Sequence, residues 1–179
     1  MVCAAVVVNV LLSLTASSLR LPLYFDSLLT LCVTALCGLV PGLICAVFTN
    51  VLLTLYTASK LTFALCHIVT VLLAWLTFHH RKKQSRMLFD ADVFLWAGLW
   101  SALSNSFLGS LISGAFFASA PGPSMNTMVQ GIYFVTQNLP LSVGIAGSVS
   151  NLTDKMISAV LSFAVYRLIE KKRNTLTTQ

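Results

Sequence analysis

The segment PLYFDSLLTLCVTALCGLVPGLICAVFTN, residues 22–50, constrains how the remainder of the chain folds. The apolar run over residues 23–57 would measure about 52 Å as a single helix, whereas the hydrocarbon core of a bilayer is about 30 Å thick. The run must therefore turn back on itself. Because Pro41 lacks an amide proton and Gly42 tolerates turn dihedrals, the sequence predicts the turn at these two residues, within a helical hairpin.

Small residues recur at every fourth position through this predicted turn, at Gly38, Gly42 and Ala46. Such spacing lets two helices approach closely in a membrane. Two interpretations remain open: a docking surface for a partner protein, and internal packing of a helical bundle. A second stripe, for which tight helix packing is the simpler interpretation, consists of Gly98, Ala102, Ser106, Ser110, Gly114 and Ala118.

The composition indicates a membrane protein, because 57% of the residues are hydrophobic and 9% are charged, against about 25% charged in an average soluble domain. The net charge of +6 comes from two short basic clusters, which is typical of membrane topology signals and does not favour nucleic-acid binding. The five cysteines lie inside apolar runs without the spacing of metal ligands. We therefore expect no disulfide and no metal site.

We predict an all-α integral membrane protein, a single membrane domain over residues 1–179 with six transmembrane helices and both termini cytoplasmic. The predicted spans are 2–19, 23–40, 42–57, 61–78, 91–118 and 151–169. An outer loop, 119–150, includes a short helix near 125–137. The positive-inside rule supports this arrangement, because only Arg20 and Lys60 flank the spans on the outer side. The inner side collects Arg81, Lys82, Lys83, Arg86, Arg167, Lys171, Lys172 and Arg173.

Polar and aromatic residues together mark a predicted ligand pocket in the outer half of the protein. Pockets for small molecules combine apolar and aromatic walls with a few polar groups, and the loop 119–150 with its flanking spans offers both. The predicted substrate-binding residues are Trp100, Asn105, Asn126, Gln130, Tyr133, Gln137, Asn138 and Asp154. Two other roles remain open: Asp154 as a helix cap, and Asp26 as an ion-pair partner of Arg20.

No catalytic chemistry is predicted. His67 stands alone in an apolar span, and the sequence contains no HExxH, no GxSxG and no glycine-rich phosphate loop. We therefore expect a protein that is not an enzyme and that uses no cofactor.

Two stretches carry a resemblance to a known family: FDSLLTLCVTALCGLVPGLICAVFTN, residues 25–50, and NLTDKMISAVLSFAVYRLIEK, residues 151–171. The chain resembles the substrate-binding subunits, or S components, of energy-coupling-factor (ECF) transporters. In many of these an FDT-like start precedes a small-rich turn and a Thr-Asn pair, and the last span opens with Asp-Lys. The matching residues are Phe25, Asp26, Ser27, Gly38, Gly42, Thr49, Asn50, Asp154, Lys155, Ile157 and Ser158.

The resemblance implies a subunit in a prokaryotic plasma membrane that binds a vitamin or related micronutrient from outside with high affinity. It also implies two kinds of partner, a transmembrane coupling subunit and two cytoplasmic ATPases. The Ala-xxx-Ala motif of span one in many members is absent, since Val8 follows Ala4 and Asn9 follows Ala5. Contact with the coupling subunit is therefore predicted at Gly38, Gly42 and Ala46. The alternative function is a membrane sensor or assembly module that acts through a partner protein.

Overall fold

A computed structural model describes residues 1–56, 61–84, 89–116 and 123–177. Every regular element within these ranges is a helix, which confirms the predicted all-α class. The helices are α1 (Val2–Ser18), α2 (Leu28–Cys37), α3 (Leu39–Tyr56), a 3₁₀ turn (Leu61–Phe63), α4 (Ala64–Gln84), α5 (Ala91–Phe116), α6 (Pro123–Thr136) and α7 (Leu139–Thr177). The predicted span ends Thr57 and Ala118, the basic residues Lys60 and Arg86, and loop residues 119–122 lie outside the described residues.

The hairpin of α2 and α3 turns at Gly38, so the predicted turn at Pro41 and Gly42 is wrong. Gly38 has φ +89° and ψ −166°, a conformation that is essentially restricted to glycine because a Cβ atom would clash with the backbone. Pro41 is the third residue of α3. Proline is tolerated there because an amide in the first helical turn has no intrahelical acceptor.

Helix α2 is also shorter than the predicted span 23–40. It begins at Leu28, and its ten residues measure about 15 Å. Residues 19–27, which connect α1 to α2 and which we call the strap, contain no helix. Two residues of the strap, Arg20 and Phe25, have positive φ angles of 54° and 45°.

The chain from α4 onward is more helical than predicted. Helix α4 continues through His79 and His80 to Gln84, so the basic cluster does not end it. The predicted outer loop 119–150 is wrong over its described part: α6 occupies Pro123–Thr136, close to the predicted short helix, and α7 begins at Leu139. Pro140 again occupies a first helical turn, where its missing amide proton costs no hydrogen bond.

Among the residues that the structure describes, two helical segments are long and apolar enough to cross a membrane, Leu39–Tyr56 and Leu61–Lys82. The apolar helices α1 and α2 are shorter, with 17 and 10 residues. Side chains on the outer surface of the bundle are often large and apolar, including Phe48, Leu55 and Phe107. The structure therefore supports membrane-spanning segments in two places.

Within the described part of the chain, the most extensive contact between two helices is that of α5 with α7. A Cβ atom built on Gly98 would lie 2.8 Å from Ala159 Cβ and 2.9 Å from the backbone oxygen of Lys155, so only glycine fits this contact. Aromatic rings fill the apolar core between these helices and α4, with Phe94 packed against Phe78, Phe163 and Tyr166. The predicted small-residue stripe on α5 therefore begins in tight internal packing.

Candidate functional site

Helix α7 holds the strap in place through the carboxylate of Asp154. Its Oδ1 atom accepts hydrogen bonds from the backbone amides of Tyr24, at 2.9 Å, and Phe25, at 2.7 Å. One turn earlier, Ser150 Oγ donates to the backbone oxygen of Pro22. An aromatic residue with positive φ is strained, and the two amide hydrogen bonds offset that strain at Phe25. Asp154 thus binds the strap just before α2 begins. It does not cap α7, because it lies in the middle of that helix.

Lys155, the next residue on α7, contacts three side-chain oxygen atoms, two from the strap and one from α7. Its Nζ atom donates to Asp26 Oδ1 at 3.0 Å and to Ser27 Oγ at 2.8 Å, and it lies 2.9 Å from Asp154 Oδ2. The side chains of Lys155 and Asp154 are buried, whereas that of Asp26 is 19% exposed. Asp26 therefore pairs with Lys155, and the alternative pairing with Arg20 is not observed.

A second group of polar side chains extends from Asp26 into the bundle. His67 on α4 lies with its Nδ1 atom 4.0 Å from Asp26 Oδ2 and 2.6 Å from Asn50 Nδ2. Its Nε2 atom lies 3.2 Å from Thr30 Oγ1. Asn9 completes the group, because its Nδ2 donates to Thr30 Oγ1 and its Oδ1 accepts from the backbone amide of Leu29.

The hydrogen-bond partners determine the tautomer of His67. Asn50 Nδ2 donates to the backbone oxygen of Ala46 at 2.9 Å, which identifies that atom as the amide nitrogen. Its second proton points to His67 Nδ1, so Nδ1 is the acceptor and Nε2 carries the proton that is donated to Thr30. A histidine that accepts at one nitrogen and donates at the other is neutral.

These contacts bring five helices and the strap together at one polar cluster. We define the cluster as the side chains of Asn9, Asp26, Ser27, Thr30, Asn50, His67, Asp154 and Lys155. Almost every polar atom in it has a partner, as buried polar groups require. Ions and hydrogen-bonding groups buried in an otherwise apolar bundle are costly, and in a membrane protein they mark functional positions by default.

Two of the predicted substrate-binding residues are buried. Asp154 lies at the centre of the polar cluster. Asn105 on α5 is 4% exposed, and its Nδ2 atom donates to Thr70 Oγ1 at 3.0 Å. Thr70 lies three residues along α4 from His67, so Asn105 of α5 contacts α4 within one helical turn of the polar cluster.

The other predicted site residues do not join these two. Trp100 is half exposed and stacks on Trp96. The remaining five lie on α6 and at its junction with α7, where they are exposed: Asn126, Gln130, Tyr133, Gln137 and Asn138. Gln137 donates to the backbone of Phe134 and Asn138 caps α7 by accepting from the amide of Leu141. The prediction placed these residues in the outer loop 119–150, part of it on a short helix near 125–137, as polar and aromatic groups of a pocket, whereas the structure leaves their side chains exposed.

The predicted partner contact at Gly38, Gly42 and Ala46 is largely internal. Gly42 and Ala46 are buried, and a Cβ atom on Gly42 would meet Thr34 of α2 and Val71 of α4. Between the two interpretations of this stripe, the structure therefore favours packing within the bundle. Gly38 forms the turn between α2 and α3.

Four members of the polar cluster were not predicted as site residues from the sequence. Asn9 and Asn50 are amides in apolar runs, and this signal was available because such groups need partners in a membrane. His67 was noted only as an isolated histidine. Thr30 has no distinguishing signal, since threonine is common in apolar helices.

Within the part of the chain that the structure describes, no group of three or more His, Cys, Asp or Glu side chains is arranged to hold a metal ion. No family model, curated protein or solved structure matches this chain.

Proposed function

We propose that this protein is the membrane-embedded substrate-binding subunit, the S component, of an ECF-type importer for a vitamin or related micronutrient. It would cross a prokaryotic plasma membrane six times and would be energised by separate ATPase subunits through a transmembrane coupling subunit. The single observation that carries the proposal is the contact between the two stretches that resemble this family. Asp26 and Ser27 of the first stretch bind Lys155 of the second, although 129 and 128 residues separate them in sequence.

The burial of this contact supports a functional role. An ion pair buried in an apolar protein seldom improves stability over well-packed apolar side chains. Its presence in a chain with 9% charged residues is more readily explained by a site than by stability. A polar cluster beneath the strap is also suited to small-molecule binding, because a pocket needs a few polar groups within apolar walls.

The charge distribution supports the orientation of this proposed subunit. Arg81 and Lys82 lie on the last turn of α4, and Arg167, Lys171 and Lys172 lie on the last turns of α7. With these ends cytoplasmic, alternate crossings place the strap and the start of α4 toward the outside. The polar cluster then lies in the outer half, where a ligand from outside arrives first.

Ligand retention is the direct test of the proposed function. The full chain, purified in detergent from its native membrane, is expected to retain a small molecule that mass spectrometry identifies, and adding that molecule should raise the melting temperature as tight binding requires. ATPase subunits are expected to co-purify when solubilisation is mild. A protein that retains no molecule, and that no member of a vitamin panel stabilises, is not an S component; co-purification of other membrane proteins would then favour the sensor or assembly module.

A further inference from the structure

The polar cluster has an unbalanced charge. Its ionisable side chains are the carboxylates of Asp26 and Asp154, the ammonium of Lys155, and His67, which the hydrogen bonds to Asn50 and Thr30 make neutral. Two negative charges against one positive charge leave a net charge of −1. An uncompensated charge away from water is costly, so a positive group beside the cluster would be stabilising.

Asp26 is the carboxylate that a ligand can reach. Asp154 is buried, its Oδ1 atom accepts two backbone hydrogen bonds, and its Oδ2 atom faces Lys155. Asp26 uses Oδ1 for Lys155, while its Oδ2 atom lies 4.0 Å from a His67 nitrogen that carries no proton. Its side chain is 19% exposed. Oδ2, the Asp26 oxygen that does not accept from Lys155, therefore receives no hydrogen bond from His67 either.

Another acceptor, which is buried, also lacks a donor. Asn105 Oδ1 has no hydrogen-bond partner among the residues that the structure describes, although the side chain is 4% exposed. Such an acceptor costs free energy unless a bound group donates to it. Asn105 reaches the turn of α4 next to His67 through Thr70. This side of the bundle therefore has hydrogen-bond acceptors without donors and an excess of negative charge.

We propose that the ligand is a small organic cation whose positively charged nitrogen group binds at Asp26 Oδ2. This inference rests on the proposed function and names its substrate class. Lys155 cannot recruit an anion, because its ammonium already contacts Asp26, Ser27 and Asp154. An anionic ligand would add a second negative charge to a site that already has one in excess.

The test compares compounds by charge on the full chain in detergent. Cationic compounds are thiamine, pyridoxamine and choline, with 3,3-dimethylbutan-1-ol as the neutral analogue that matches choline in shape. Riboflavin is the neutral vitamin, and biotin and pantothenate are the anionic ones. We expect a rise in melting temperature with at least one cationic compound, none with the neutral analogue or the anions, and a cationic molecule as the retained ligand.

Two variants test whether binding depends on the carboxylate of Asp26 itself or only on the net charge of the protein. Asp26→Asn keeps the shape and removes the accessible charge, and is expected to weaken binding of the cationic compound about tenfold or more. Asp92→Asn removes one carboxylate at the half-exposed pair with Arg81 and should leave binding unchanged. The compound comparison uses the wild-type chain, so it remains decisive even if Asp26→Asn fails to fold.

The outcomes are distinguishable. A retained ligand that is neutral or anionic, and that binds Asp26→Asn as tightly as the wild-type protein, overturns the cation inference and leaves the transport proposal intact. Stabilisation by sodium or potassium ions alone, with no response to any organic cation, also overturns it. A protein that retains nothing and responds to no compound overturns both proposals.

Discussion

Two ion pairs in this protein differ mainly in their environment. Lys155 lies between Asp26 and Asp154 with its side chain 3% exposed, whereas Arg81 and Asp92 pair with both side chains about half exposed. Water and salt screen the exposed pair, so its contribution to stability is small. Removing one partner of a buried pair instead leaves an uncompensated charge in the interior.

We expect Lys155→Met to destabilise the protein by about 3–5 kcal/mol, because the buried carboxylate of Asp154 and the partly buried one of Asp26 lose their cation. Arg81→Met, the matched change at the surface pair, should cost about 1 kcal/mol or less. Reversible unfolding of both variants in mixed detergent micelles, followed by circular dichroism, measures the difference. Equal losses in the two variants would contradict the burial of Lys155 as the source of the effect.

Between elements, the approach of α5 to α7 depends on the absence of a side chain at Gly98. The nearest atoms include the backbone oxygen of Lys155, which cannot move without shifting α7 and with it the polar cluster. Gly147, which lies on α7, provides a comparison, since a Cβ atom there would meet nothing within 4 Å.

Gly98→Ala is expected to destabilise the protein by about 1–3 kcal/mol, as overpacking of a close contact does. Gly147→Ala should be neutral or should stabilise by up to about 1 kcal/mol, because alanine has the higher helix propensity. Melting temperatures of the two variants in the same detergent test whether the first substitution lowers stability and the second does not. If Gly98→Ala proved as stable as Gly147→Ala, the two helices would lie further apart than the structure describes.

At the scale of the whole molecule, α7 has 39 residues and therefore measures about 58 Å, nearly twice the hydrocarbon thickness of a bilayer. Its end carries Arg167, Lys171 and Lys172, and its start follows the exposed residues Phe134 and Val135. A helix of this length that crosses the membrane must present its two ends on opposite sides.

Cysteine labelling tests that topology. Cys3 and Cys37 are the exposed cysteines, so a background with both changed to serine leaves only buried thiols. In that background Val135→Cys is expected to react with an impermeant maleimide on intact cells, and Lys172→Cys to react only after the membrane is permeabilised. Labelling of both positions from the same side would contradict the proposed orientation. The polar cluster could then no longer be assigned to the outer half of the protein.

How far the sequence predicts the structure differs among these features. The small residue at Gly42 correctly indicated a close approach of helices, but local propensity could not tell whether Gly38 or Gly42 forms the turn. Proline near a helix start and proline that ends a helix look alike in sequence, so Pro41 and Pro140 were both assigned to breaks or loops. The exposed residues of α6 were assigned to a pocket because polar and aromatic residues occur together there, a pattern that does not reveal which way the side chains face.

Composition and periodicity alone determined that the chain is helical and apolar and that its basic residues gather at helix ends, because each of these is a property of residues close in sequence. Only the tertiary structure decided that Asp26, His67 and Lys155 share one cluster, and that Gln130 and Asn138 stand apart from it. The physical reason is that the pairing of a buried charge depends on which helices pack together, and that packing is decided by side chains more than a hundred residues apart.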